Sequence, residues 1–118
     1  MSASVIRFVK PLNYSCFFMR IATEQGVSTS GAVMSSLREL RDGYLSQNRF
    51  GVRTIERYYE TTTSLVERFE MRADKKSIAK SFWMDLEHAH ALIQKGFCRE
   101  AAACLNTALE EVQKDLAS

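Results

Sequence analysis

The sequence predicts an all-α fold, a compact bundle of four or five helices with a C-terminal helical hairpin. Three observations predict it. Nearly every segment repeats its apolar residues at helical period. Gly26, Gly51 and Gly96 fall where those periodic segments end or turn. The 118 residues are 46% hydrophobic and 25% charged, enough for one core without metals or disulfides. Residues 1–118 are read as a single helical domain.

The organising stretch is Leu37 to Tyr59, LRELRDGYLSQNRFGVRTIERYY. Upstream of it, Val5 to Val9 is short and apolar, and Pro11 biases Lys10 away from helix. An edge strand, an extended arm or one helical turn all fit there. Asn13 offers a cap for a first helix, with Tyr14, Phe17, Phe18 and Ile21 on one face and an end near Gly26. Residues 27–31 form a loop in which Ser28 or Ser30 can start a second helix, running to about Gln47. Its seam is Val33, Leu37, Leu40 and Tyr44. Arg38 and Asp42 are four apart and can pair on its outer face.

Asn48 to Gly51 makes a turn, and a third helix continues to about Met71. Its seam reads Val52, Ile55, Tyr59, Thr62, Val66 and Phe69. Asp74 caps a fourth helix with Ile78, Phe82, Leu86, Ala89 and Ile93 on its buried stripe. Gly96 is placed to stop it. The last helix buries Ala101, Leu105, Ala108, Val112 and Leu116, so residues 74–118 make the hairpin. Ala89 to Leu109 looks like one tetratricopeptide unit, whereas a solenoid needs about three.

Net charge is +2, with a small basic excess in residues 1–60. No apolar run approaches the ~20 residues of a membrane span, and the N-terminus has no signal-peptide pattern. Cys16, Cys98 and Cys104 are an odd set, which argues against a secreted disulfide framework and for the cytoplasm.

Arg49, Arg53 and Arg57 line one helix face and can track phosphates of a nucleic acid. Glu56 and Glu60 share those turns, which favours a solvated face. His88 and His90 point about 200° apart on a helix and cannot share a metal. Glu87 and His90 have the spacing of carboxylate-bridged di-iron bundles, but only one copy is present. No metal or cofactor is implied, and no phosphate loop or nucleophile elbow is present. Tyr58 and Tyr59 are read first as packing residues, one on the seam and one beside it.

Cys16 and Phe17, then Ile21, Ala22, Thr23 and Gly26, resemble the Cys-Phe-Ile-Ala-Thr box of the bacterial CFI-box C-terminal domain family. Leu37, Arg38, Leu40, Arg41, Asp42 and Leu45 are similar to its Leu-Arg-x-Phe-Arg-Asp helix, Gly51 to its turn and Tyr58–Tyr59 to its tyrosine pair. The resemblance covers residues 16–69. Phe18, Met19 and Arg20 interrupt the box, and Thr-Thr-Thr-Ser replaces the Ser-Pro-Pro that follows the tyrosines. It implies a bacterial helical module with no assigned activity, and draws attention to Cys16, Arg38, Arg41 and Asp42.

The leading functional expectation is a non-enzymatic module that presents a helix face to a partner protein or a second copy. A first alternative is a cysteine-dependent enzyme or redox sensor. If Asn13 caps the first helix, Cys16 takes its third position, where the dipole and Arg20 favour a thiolate. His88 or His90 would then have to serve as base. A second alternative is a nucleic-acid binder using Arg49, Arg53 and Arg57. Arg41 is expected over a neighbouring helix end or paired with a carboxylate from another helix. The candidate binding residues are thus Arg38, Arg41, Asp42, Arg49, Arg53, Arg57 and Tyr58.

Overall fold

The computed structural model describes residues 16–117. Five α-helices and no strand are found among them. They are α1 (Phe17–Glu24), α2 (Ala32–Gly43), α3 (Arg49–Glu70), α4 (Lys75–Gln94) and α5 (Cys98–Ala117), with a 3-10 turn at Leu45–Gln47. The readings at Val5–Val9, Pro11, Asn13 and Tyr14 lie outside the described residues. None of the described helices is long and apolar enough to cross a membrane.

Two turns of helix are marginal alone, so α1 depends on what it buries. Phe17, Ile21 and Ala22 have no exposed surface, and the Phe17 ring meets Phe69 and Phe82 edge-on at 5.9 and 5.1 Å. The helix stops at Gly26, whose φ of 70° puts it in the left-handed region. There Gly26 N–H donates to Thr23 O and Val27 N–H to Ala22 O, which satisfies the last carbonyls.

Neither Ser28 nor Ser30 caps α2. Gly31 holds the cap position, while Ser28 Oγ accepts from Ser30 N–H at 3.1 Å within the preceding turn. The helix also ends at Gly43, earlier than the expected Gln47. The cause is the close approach of the 3-10 turn to α3: a Cβ on Gly51 would lie 2.1 Å from the Leu45 carbonyl oxygen. Asn48 caps α3 by accepting from Gly51 N–H at 2.7 Å.

On α3 the buried positions are Gly51, Ile55, Thr62, Leu65 and Phe69, with Tyr58 half-buried between them. The seam therefore leans to the Tyr58–Leu65 side rather than the Val52–Tyr59–Val66 side. Helix α2 likewise buries Met34 and Ser36 with Leu37 and Leu40, leaving Val33 and Tyr44 half-buried.

Helix α4 buries Ala79, Phe82, Trp83, Leu86 and Ala89, while Ile78 and Ile93 are only half-buried. Asp74 stands at its cap position without a capping bond. Its carboxylate accepts from Arg72 at 3.1 and 3.2 Å, and Arg72 Nη1 also donates to Asp115 O at 2.6 Å. That arginine ties the α3–α4 turn to the far end of α5. Gly96, at φ 84°, closes α4 with bonds to Ile93 O and, through Phe97 N–H, to Leu92 O. Helix α5 then buries the expected five residues, Ala101, Leu105, Ala108, Val112 and Leu116. One contiguous apolar cluster joins all five helices.

Candidate functional site

A cavity of about 340 Å³ opens where α1, α2, the 3-10 turn, α3 and α5 meet. Its walls are apolar, with Met34, Leu37, Leu40, Ile55, Leu105 and Leu109 among them. Among the described lining residues, Arg38 and Arg41 are the charged ones, and both are cationic. Cys16, Tyr58, Tyr59, Thr54 and Asn106 add polar atoms.

Tyr58 is the hub of the polar side. Its Oη accepts from Phe18 N–H and from the Thr62 hydroxyl, each at 3.2 Å. Those two bonds occupy the oxygen's lone pairs, so the phenol hydrogen is directed at Cys16 Sγ, 3.1 Å away. Thr62 Oγ1 meanwhile accepts from Phe17 N–H at 2.7 Å. The first two amides of α1, which have no intrahelical acceptor, are thus served by side chains of α3. Burial pushes the Tyr58 phenol well above its ordinary range, and the adjacent Cys16 thiol adds to this.

This geometry revises the expected setting of Cys16. It is the residue just before α1, with extended ψ of 119°, rather than the third residue of a helix capped by Asn13. Arg20 does not lend it charge. Its guanidinium binds Glu70 through Nε and through Nη2 at 3.0 Å, reaches Glu24 at 2.9 Å, and lies over the Phe69 ring. Glu70 also accepts from Lys75 at 3.1 Å. Arg20, and then Lys75, hold the Glu70 carboxyl down at about 2.

Arg38 and Asp42 do not pair with each other. Arg38 donates through Nη2 to Thr29 O at 2.7 Å. Asp42 takes Arg41 instead, at 2.7 and 3.1 Å, and Arg41 Nη1 donates to the Tyr59 hydroxyl at 3.1 Å. Arg41 thus reaches another helix through a phenol, and its carboxylate partner is its own neighbour on α2. The Asp42 bonds raise the Arg41 pKa, so the guanidinium keeps its charge. Burial raises the Tyr59 phenol, with Arg41 opposing it.

Cys16, Arg38, Arg41 and Tyr58 are therefore brought to one cavity, with Asp42 behind Arg41. The remaining candidates stand elsewhere. Arg49, Arg53 and Arg57 are exposed on α3 and line no part of the cavity. His90 Nδ1 is 2.8 Å from Ser36 Oγ, and His88 lies 3.8 Å from Cys104 Sγ. Burial, and then Asp85, raise the Cys104 thiol. Among the described residues no group of three or more His, Cys, Asp or Glu could hold a metal ion. The large exposed apolar side chains, Phe50, Met71, Met84 and Phe97, fall at separate places along the chain.

Sequence reasoning missed two contributors. Thr62 was legible only as a seam residue, yet its hydroxyl caps another helix. Asn106 lines the cavity from α5, and nothing in the local pattern marks it. Comparison with protein-family models, with curated proteins and with solved structures gives no match.

Proposed function

We propose that this chain is a non-enzymatic helical binding module that holds a small ligand in the cavity beside Tyr58. The observation that carries the reading is the cavity itself. Its 340 Å³ lies at the lower end of the roughly 300–1,000 Å³ of small-molecule sites, and its walls are apolar with a few convergent polar groups. The proposal extends to a kinship with CFI-box domains, because Cys16, Arg38, Arg41 and the Tyr58–Tyr59 pair all line this cavity.

A concave site suits a small molecule better than the helix face of a partner protein or second copy. A cysteine-dependent reaction has less support, since His88 and His90 bond elsewhere and do not line the cavity, and the raised pKa of Tyr58 keeps the phenol protonated, so it is no base for Sγ. Arg49, Arg53 and Arg57 are exposed on α3, and Glu56 and Glu60 share their turns, which favours a solvated face over a phosphate track.

Calorimetric titration with 1-octanol tests the reading. Ala102 is half-buried on the cavity wall, so Ala102→Phe should fill the space from α5. The wild-type protein is expected to bind octanol, and the folded variant to bind it about tenfold more weakly or worse. A wild-type protein that takes up no octanol, or a variant that binds it equally, would overturn the proposal.

A further inference from the structure

We infer that the ligand of this cavity is an amphipathic monocarboxylate of medium aliphatic chain length, its head group seated on Arg38. The inference rests on the binding reading above and names the class of ligand.

Size comes first. The 340 Å³ of the cavity, at the lower end of the roughly 300–1,000 Å³ of small-molecule sites, leaves room for only a small ligand. That means a short chain, not a full-length lipid tail. The walls come next: Met34, Leu37, Leu40, Ile55 and Leu105 supply aliphatic and thioether surface, and Met adapts to flexible chains.

Charge decides the head group. Both charged residues described on the cavity wall are arginines. Arg41 is already met by Asp42 and Tyr59. Arg38 is exposed, so it stands where the cavity meets solvent, and its bond here is to the neutral Thr29 carbonyl. No carboxylate pairs with it among the described residues, so its charge is available to an anionic head at the mouth of the cavity.

The number of oxygens follows from the fork. A guanidinium presents two edges, each with two parallel N–H donors. Thr29 takes one hydrogen of Nη2, and whichever one it takes, one two-donor edge stays whole. A carboxylate fits such an edge with two parallel bonds. The chain can then run inward past Leu37 and Leu40, on the same helix as Arg38.

The test compares octanoate, 1-octanol and octyltrimethylammonium by calorimetry at low ionic strength, on wild-type protein and Arg38→Gln. Octanoate is expected to bind about tenfold tighter than octanol, and the ammonium weakest. Arg38→Gln should bring octanoate to the level of octanol, while an unchanged helical circular-dichroism signal and melting temperature report that the variant is folded. Arg38→Lys should keep the charge but lose the fork, and recover only part of the difference.

Octanoate and octanol binding equally would overturn the head-group inference and leave the cavity reading standing. Octanoate preference that survives Arg38→Gln would overturn the assignment to Arg38. Failure of all three ligands to bind wild-type protein would overturn both readings together.

Discussion

Thr62 shows how one hydroxyl can join two helices. It is 1% exposed, accepts from the Phe17 amide and donates to Tyr58. Thr62→Val keeps the shape and removes both bonds, leaving a buried N–H without this acceptor. The expected cost is about 1–3 kcal/mol in urea unfolding; a loss below ~0.5 kcal/mol would show the bond to be dispensable. Glu70 gives a second test, in pH. Its folded pKa of about 2 lies below the ordinary carboxylate value of 4.5, because Arg20 and Lys75 stabilise the charged form. Its contribution is therefore present above pH 4.5 and lost as the pH falls toward 2. Because its side chain is 40% exposed, the effect is small and screened. Glu70→Gln should flatten the acid limb of stability against pH in that window. An unchanged acid limb would contradict the assignment.

The glycines sort the elements by what each turn demands. At Gly51 a methyl group would meet the Leu45 backbone, so Gly51→Ala should destabilise by about 1–3 kcal/mol and loosen the 3-10 turn. At Gly96 there is space but φ is 84°, so alanine should cost about 1–2 kcal/mol from backbone strain alone. At Gly43, in the last turn of α2, nothing lies within 4 Å and φ is not positive. Alanine there should stabilise by roughly 0.5–1 kcal/mol, as in any helix. Thermal unfolding of the three variants should give that order, and a stabilised Gly51→Ala would contradict the close approach.

These elements also separate what a sequence can carry from what it cannot. The helices, the stops at Gly26 and Gly96 and the five buried residues of α5 were legible, because periodicity and turn chemistry are local. The seam of α3 was only partly legible. Ile55, Thr62 and Phe69 belong equally to a face completed by Tyr59 and Val66 or by Tyr58 and Leu65, and tertiary packing chose the second. The cap of α1 was not legible at all, since its acceptors come from α3.

At the scale of the molecule, residues far apart in sequence share one cavity. Cys16 comes from just before α1, Arg38 and Arg41 from α2, Tyr58 and Tyr59 from α3, and Asn106 from α5. The motifs could be read in the sequence, but the α5 wall that closes the cavity could not. Methionine placement gives the most direct test that this cavity binds. Met19 and Met34 line it, whereas Met71 and Met84 are 86% and 60% exposed and lie outside its lining. The measurement is a titration of protein labelled with ¹³C at the methionine methyls, followed by NMR as octanoate is added. The account predicts saturable shifts of the Met19 and Met34 methyls, with Met71 and Met84 unmoved. Shifts confined to Met71 or Met84, or none at saturating octanoate, would contradict it.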